Sequence, residues 1–347
     1  MKIAVTVQWL QKISPLVLVA AIAGCASAGR TGQTPAAAPA PAAEKPATPA
    51  TQKPAAAPTQ KPAPATQKPA PPAAAGQPPA PAQAPAPPAP KAQIATSPDG
   101  TRIAFEVTGS GPAILLVHGG GQTRRSWNQL GYVDRLSKRF TVITLDMRGI
   151  GESDKPLTAD AYALDRVLAD LLAVADAAKA QRFHLFGFGQ GATIGRYLAA
   201  RSDRVISAVL VGTTMGPAVS GVFKEAITGM RTKWQPAIDA QAAGKLDAVK
   251  LSPSDRAAWD GGMAVTVLSL SAMLEYPPLE PADIKVPTLW AVGADDSAME
   301  NVKAYEGKLT GTMVSLKVLS SVNYSDSFVK MDQVMTEVEP FLTKSTS

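Results

Sequence analysis

From residue 101 onward, short apolar runs alternate with segments whose apolar residues recur at helical spacing. Ala113–His118 (AILLVH) is a near-continuous apolar run, the pattern of a strand buried on both faces. Thr101–Val107, Phe140–Leu145, Arg182–Phe186, Val205–Gly212, Thr288–Gly293 and Val314–Leu319 predict further strands. Between them, Arg124–Lys138, Tyr162–Ala178, Gln190–Arg201, Ala298–Leu309 and Phe328–Leu342 predict helices. In the second of these, Leu164, Val167, Leu168, Leu171, Leu172 and Val174 share one face. Such alternation calls for an α/β fold, with a mainly parallel sheet and helices on both faces. The stretch from Gly212 to Val286 has no strand pattern and predicts two helices, Val222–Gln241 and Ser254–Glu275, the latter started by Ser252-Pro253. An all-helical insertion of this kind, at about 213–285, is expected as a lid over the C-terminal edge of the sheet, with Met230, Met263 and Met273 as core filler.

The first 91 residues have a different pattern. Lys2 and Lys12 precede an apolar run at 13–24, which ends in Ile22-Ala23-Gly24-Cys25. A short basic region followed by such a run reads as a secretory signal. The closing quartet resembles a bacterial lipobox, which implies cleavage and diacylation at Cys25 within a signal segment at 1–25. By the same resemblance Ala26 directs the protein to the outer membrane, facing the periplasm. An uncleaved membrane anchor is the alternative. Residues 26–91 follow as a Pro/Ala-rich linker, with 19 Pro and 22 Ala in 33–90 and Thr-Gln-Lys-Pro-Ala repeated at 51–55, 59–63 and 66–70. No large apolar side chain is available there to build a core, so the segment is expected to be a disordered, polyproline-like tether. At ~3.1 Å per residue, its roughly 60 Pro/Ala-rich residues from Thr34 to Lys91 reach at most about 190 Å. Its spaced lysines leave two uses open, a passive spacer or contact with an anionic cell-wall polymer.

Charge and composition narrow the folded part, residues 92–347. The net charge of +6 invites a nucleic-acid reading, but residues 1–91 hold eight basic side chains against Glu44 alone. What remains is about neutral, so no phosphate-binding surface and no nucleic-acid partner is expected. One Cys and two His exclude a disulfide framework, a multi-Cys site and a three-His zinc site, and no cofactor is called for.

Three motifs fall at the ends of predicted strands: His118-Gly119-Gly120-Gly121, Asp146-Met147-Arg148-Gly149-Ile150-Gly151-Glu152-Ser153-Asp154, and Gly187-Phe188-Gly189-Gln190-Gly191. Their order and spacing resemble the α/β-hydrolase fold over essentially all of 95–345. The resemblance implies an oxyanion hole from the backbone N–H groups of Gly120 and Gln190, and a structural role for the Asp146–Ser153 loop. It also exposes two departures. The nucleophile position holds Gly189, so no acyl- or alkyl-enzyme forms there. The base position, in Ser320–Phe328, maps to Tyr324, with Asn323 one residue away. Tyrosine, with an ordinary pKa of about 10, is a poor general base at neutral pH. The acid position is kept as Asp296, with Asp295 as its neighbour. His118 belongs to the oxyanion loop and is the one stand-in base to weigh. His184 reads as a core residue, and Ser325 and Ser327 as ordinary loop serines.

The expectation is therefore a membrane-tethered envelope lipoprotein whose domain has lost ester hydrolysis and binds a small apolar ligand under the lid, or a partner. An ester or amide hydrolase with an unorthodox site, using Asp296 or His118 to activate water, is one alternative. A structural envelope spacer is the other.

Overall fold

The computed structural model describes residues 92–346. The signal segment, Cys25 and the linker through residue 91 lie outside the described residues.

Eight strands form one sheet: β1 (Gln93–Thr96), β2 (Arg102–Thr108), β3 (Ala113–Val117), β4 (Thr141–Leu145), β5 (Phe183–Phe188), β6 (Val205–Val211), β7 (Thr288–Gly293) and β8 (Val314–Leu319). Their order is β1-β2-β4-β3-β5-β6-β7-β8. The β1–β2 and β2–β4 pairs are antiparallel, and the pairs from β4 through β8 are parallel. Alternation along β3 explains the two-sided core. Leu115 and Val117 join the layer beneath helices Leu164–Ala177 and Gln190–Arg201. Ile114 and Leu116 join the opposite layer, with Trp127, Tyr132, Phe328 and Val338. Because both faces are covered, the central strands have no polar face, and their sequences are unbroken apolar runs.

After β3 the chain forms β4 on one side, then crosses to form β5 on the other. This reversal opens a crevice at the carboxyl ends of the strands, where open α/β sheets place their sites. The loops after β3, β5, β7 and β8 all emerge at that edge.

Several expected elements differ in detail. The helix expected over Arg124–Lys138 is two helices, Arg124–Gln129 and Tyr132–Leu136, separated at Gly131, which takes a left-handed φ of +81°. Similarly, Phe328–Leu342 resolves into Asp326–Val329 and Met331–Thr346, broken at Lys330. Strand β1 is an addition: only Ala95 of its four residues is buried, so it has no apolar signature of its own. The lid contains helix Gly221–Ala242 and the segment Pro253–Ala258, Trp259–Met263 and Ala264–Ala272, interrupted at Gly262 with φ +111°. By length and composition Pro253–Glu275 is apolar enough to cross a membrane, yet half of it is buried in this fold. Its apolar character serves the contacts of Trp259 with Trp234 and of Val265 and Leu268 with Tyr162.

Candidate functional site

Strand β5 ends in a sharp turn at Gly189 (φ +53°, ψ −116°), and helix Gln190–Arg201 begins at the next residue. This conformation strains any residue with a Cβ, and glycine removes that cost. Close packing makes the turn possible: a Cβ on Gly191 would run into the carbonyls of Val117 and His118. The Gly189 N–H donates to the Val211 carbonyl at 2.9 Å, and its own carbonyl accepts from the Thr193 N–H at 2.9 Å. Thr193 Oγ1 lies 2.8 Å from Thr213 Oγ1, and Trp290 Nε1 donates to the Thr213 carbonyl at 2.8 Å. Thr193, Thr213 and Trp290 thus brace the elbow. Sequence reasoning passes over them because their partners lie on other strands and loops.

The space above Gly189 is occupied. A Cβ built there would overlap the hydroxyl of Tyr324. The Tyr324 ring packs on Phe188, with centroids 5.1 Å apart, and passes over Gly212, where a Cβ would come within 3.2 Å of it. Ser327 Oγ holds the Tyr324 carbonyl at 2.6 Å. Glycines at 189 and 212 therefore make the cradle that admits the phenol. Burial, and then the negative charge of Asp296, push the Tyr324 phenol above its ordinary pKa. At physiological pH it is a neutral hydroxyl. Asn323 is exposed and turned away, its Oδ1 accepting from the Asp326 N–H at 2.9 Å. Ser325 is exposed, and the Ser327 hydroxyl is spent on Tyr324.

Asp296, in the turn after β7, is only 6% exposed, whereas Asp295 faces solvent. Asp296 Oδ1 accepts from the Ala298 N–H at 2.9 Å, while Oδ2 is buried without a partner. Burial raises its pKa, and the Ala298 N–H and Ser297 hydroxyl only partly offset this. The Tyr324 hydroxyl is directed at Gly189 and does not serve this oxygen.

The glycine loop lies on the other side. Gln122 Oε1 takes the Gly119 N–H at 2.9 Å, and Gly119 lies beside the elbow glycine, while Gly120 and Gly121 are exposed. Gln190 Oε1 reaches within 3.2 Å of where a Gly120 Cβ would stand. As the first helical residue, Gln190 has no carbonyl four residues back for its N–H. The structure thus places Tyr324 against Gly189 with Gly119 beside it, sets the Gln190 side chain beside Gly120, and leaves Asp296 near enough for its charge to act on the phenol.

Neither histidine serves as a base here. His118 is fully buried, its Nδ1 donating to the Gly119 carbonyl at 2.8 Å and its Nε2 accepting from the Met147 N–H at 3.1 Å. Burial lowers its pKa, so the ring is neutral and both nitrogens are used. His184 lies inside β5, with Nδ1 2.8 Å from Ser207 Oγ and its ring edge-on to Phe140. The loop from Asp146 to Asp154 is structural. Asp146 pairs with Arg124, which also binds Glu106 at 2.8 Å. Arg148 binds Asp170 through both Nε and Nη2 at 2.6 Å, and Asp99 at 2.9 Å. Burial works against the Arg148 charge, but these carboxylates outweigh it and raise its pKa.

The model of the alpha/beta hydrolase fold family matches residues 112–242. An uncharacterized protein of Mycobacterium tuberculosis is 37% identical over 120 residues, covering 34% of this chain and 33% of that protein. The probable oxidoreductase EphD of M. tuberculosis is 31% identical over 151 residues, 42% of this chain and 25% of EphD. The chain thus spans a third or less of these two relatives. Among solved structures, a thermophilic esterase from Thermogutta terrifontis superposes with a TM-score of 0.58 at 22% identity, covering 74% of this chain and 100% of the esterase. Sheet order, the placement of the three motifs and the family match agree: residues 92–346 of this chain form an α/β-hydrolase-fold domain.

Proposed function

We propose that this protein is a lipid-anchored envelope protein, tethered through Cys25 and residues 26–91, whose hydrolase-fold domain binds a small apolar ligand or a partner and no longer hydrolyses esters. One observation carries the loss of chemistry: the Tyr324 hydroxyl fills the volume that a side chain at position 189 would need. The elbow has neither a nucleophile nor room for one, and a neutral phenol replaces the imidazole. In a serine protease, loss of the nucleophile or of the base alone costs about 10⁶ in kcat, and the oxyanion hole and binding alone leave about 10³–10⁴ over water. Losing both leaves no useful turnover. The fold around the site is intact, which supports a retained binding role.

The unpartnered Asp296 Oδ2 favours one second reading, in which this carboxylate activates water directly. Assaying the purified chain on short-chain activated esters separates the two. Binding without hydrolysis predicts no turnover above that of an Asp296→Ala variant. Turnover that Asp296→Ala abolishes establishes the second reading instead.

A further inference from the structure

A cleft of about 270 Å³, half open to solvent, lies between the lid and the start of helix Leu164–Ala177, and none of the elbow residues lines it. Helix Gly221–Ala242 presents Arg231 and Ile238 to it, two turns apart on one face. Leu268, Ser271 and Ala272 of helix Ala264–Ala272 form a second wall, and Leu164, at the start of helix Leu164–Ala177, closes the side nearest the sheet. Its lining is mainly apolar. The Ser271 hydroxyl is buried and has no hydrogen-bond partner, so one polar group in the wall is unsatisfied. The charged members of the lining are Arg231 and Glu275, paired at 2.8 Å, with their side chains 42% and 72% exposed.

We infer that this cavity binds a medium-chain carboxylate amphiphile, its chain between the lid helices and its carboxylate on Arg231. The inference deepens the binding role proposed above and rests on it. Size bounds the chain length: at ~30 Å³ for a water-sized unit, the cleft takes at most about nine carbons. Charge sets the head group. The planar guanidinium of Arg231 matches a carboxylate fork. Its present partner is a solvent-exposed glutamate, and exposed pairs of this kind are weak, so exchanging Glu275 for a ligand carboxylate costs little. Apolar walls with an exposed arginine–glutamate pair at the rim favour a single-chain amphiphile over a sugar or a nucleotide. Tyr324 fills the space over Gly189, so the binding site is displaced from the vestigial catalytic point to the flank of the lid.

The test is titration of the purified full chain with decanoate and, in parallel, decanol, followed by calorimetry. Filling the cavity with Ala272→Phe is expected to weaken decanoate about tenfold or more. Leu268→Trp, on the neighbouring turn, gives the same readout should the first variant misfold. Arg231→Gln is expected to weaken decanoate about fivefold and to leave decanol unchanged. Decanoate affinity that survives both cavity fillings, or that falls with Gln190→Ala instead, overturns the assignment. Ester turnover on the same preparation reports separately on the loss of hydrolysis. Decanoate binding accompanied by turnover defeats that loss and leaves the cavity standing, whereas neither binding nor turnover defeats the cavity alone.

Discussion

Gly189 and Tyr324 share a single volume, so their substitutions act as one unit. Placing a serine at 189 adds a Cβ at positive φ and drives it into the phenol hydroxyl. Gly189→Ser is therefore expected to destabilise the domain by about 2–4 kcal/mol in urea denaturation. In a Tyr324→Ala background the overlap is gone, and the double-mutant cycle should show a coupling of about 1–3 kcal/mol. Additive costs would contradict the shared volume. Asp296 carries the opposite expectation. Its folded pKa is raised by burial, so the native state holds its proton more tightly than the unfolded chain. The stability this gives is complete below the ordinary carboxylate range and is lost as pH rises through the folded value. Asp296→Asn should thus be neutral or stabilising at pH 7, and should flatten the pH dependence of stability over that window. Destabilisation of more than about 1 kcal/mol would mean that the carboxylate has a partner in solution. Gly189 at the elbow and Tyr324 in the loop after β8 are legible in the sequence, because the motifs place both. That the phenol enters the slot is not, because the contact joins loops at the ends of different strands.

At the scale of elements, the buried loop network and the surface ion pairs differ sharply. Arg148 is 3% exposed and ties the Asp146–Asp154 loop to Asp170 on helix Leu164–Ala177 and to Asp99. Removing it strands the buried Asp170, and Arg148→Ala is expected to cost about 3–5 kcal/mol. Arg201 pairs with Asp165 on the surface at 2.8 Å, and Arg201→Ala should cost less than about 1 kcal/mol. Chemical denaturation of both variants checks the contrast, and equal costs would contradict it. The α/β alternation and the helical lid are readable from periodicity, since buried strands and amphipathic helices write their burial into the sequence. Breaks inside elements are not. Gly131 splits a continuous helical pattern, and β1 pairs along β2 through backbone bonds with hardly any buried side chain. Asp170 sits on an otherwise apolar helix face, and only its Arg148 partner, on a loop from another strand, explains it.

For the whole molecule, residues 1–91 hold eight basic side chains against Glu44 alone, and the rest of the chain is about neutral. Attachment through Cys25 predicts metabolic incorporation of labelled palmitate that a Cys25→Ala variant loses, and unchanged labelling would remove the anchor from the account. The domain retains the sheet, the elbow and the glycine loop of its fold, and has filled the point at which they converge. On the proposed reading, this filling leaves the site without ester hydrolysis. The most direct measurement is turnover of short-chain activated esters by the purified chain and by its Asp296→Ala variant. The account predicts the same background rate for both. A rate well above background that disappears with Asp296→Ala would contradict it.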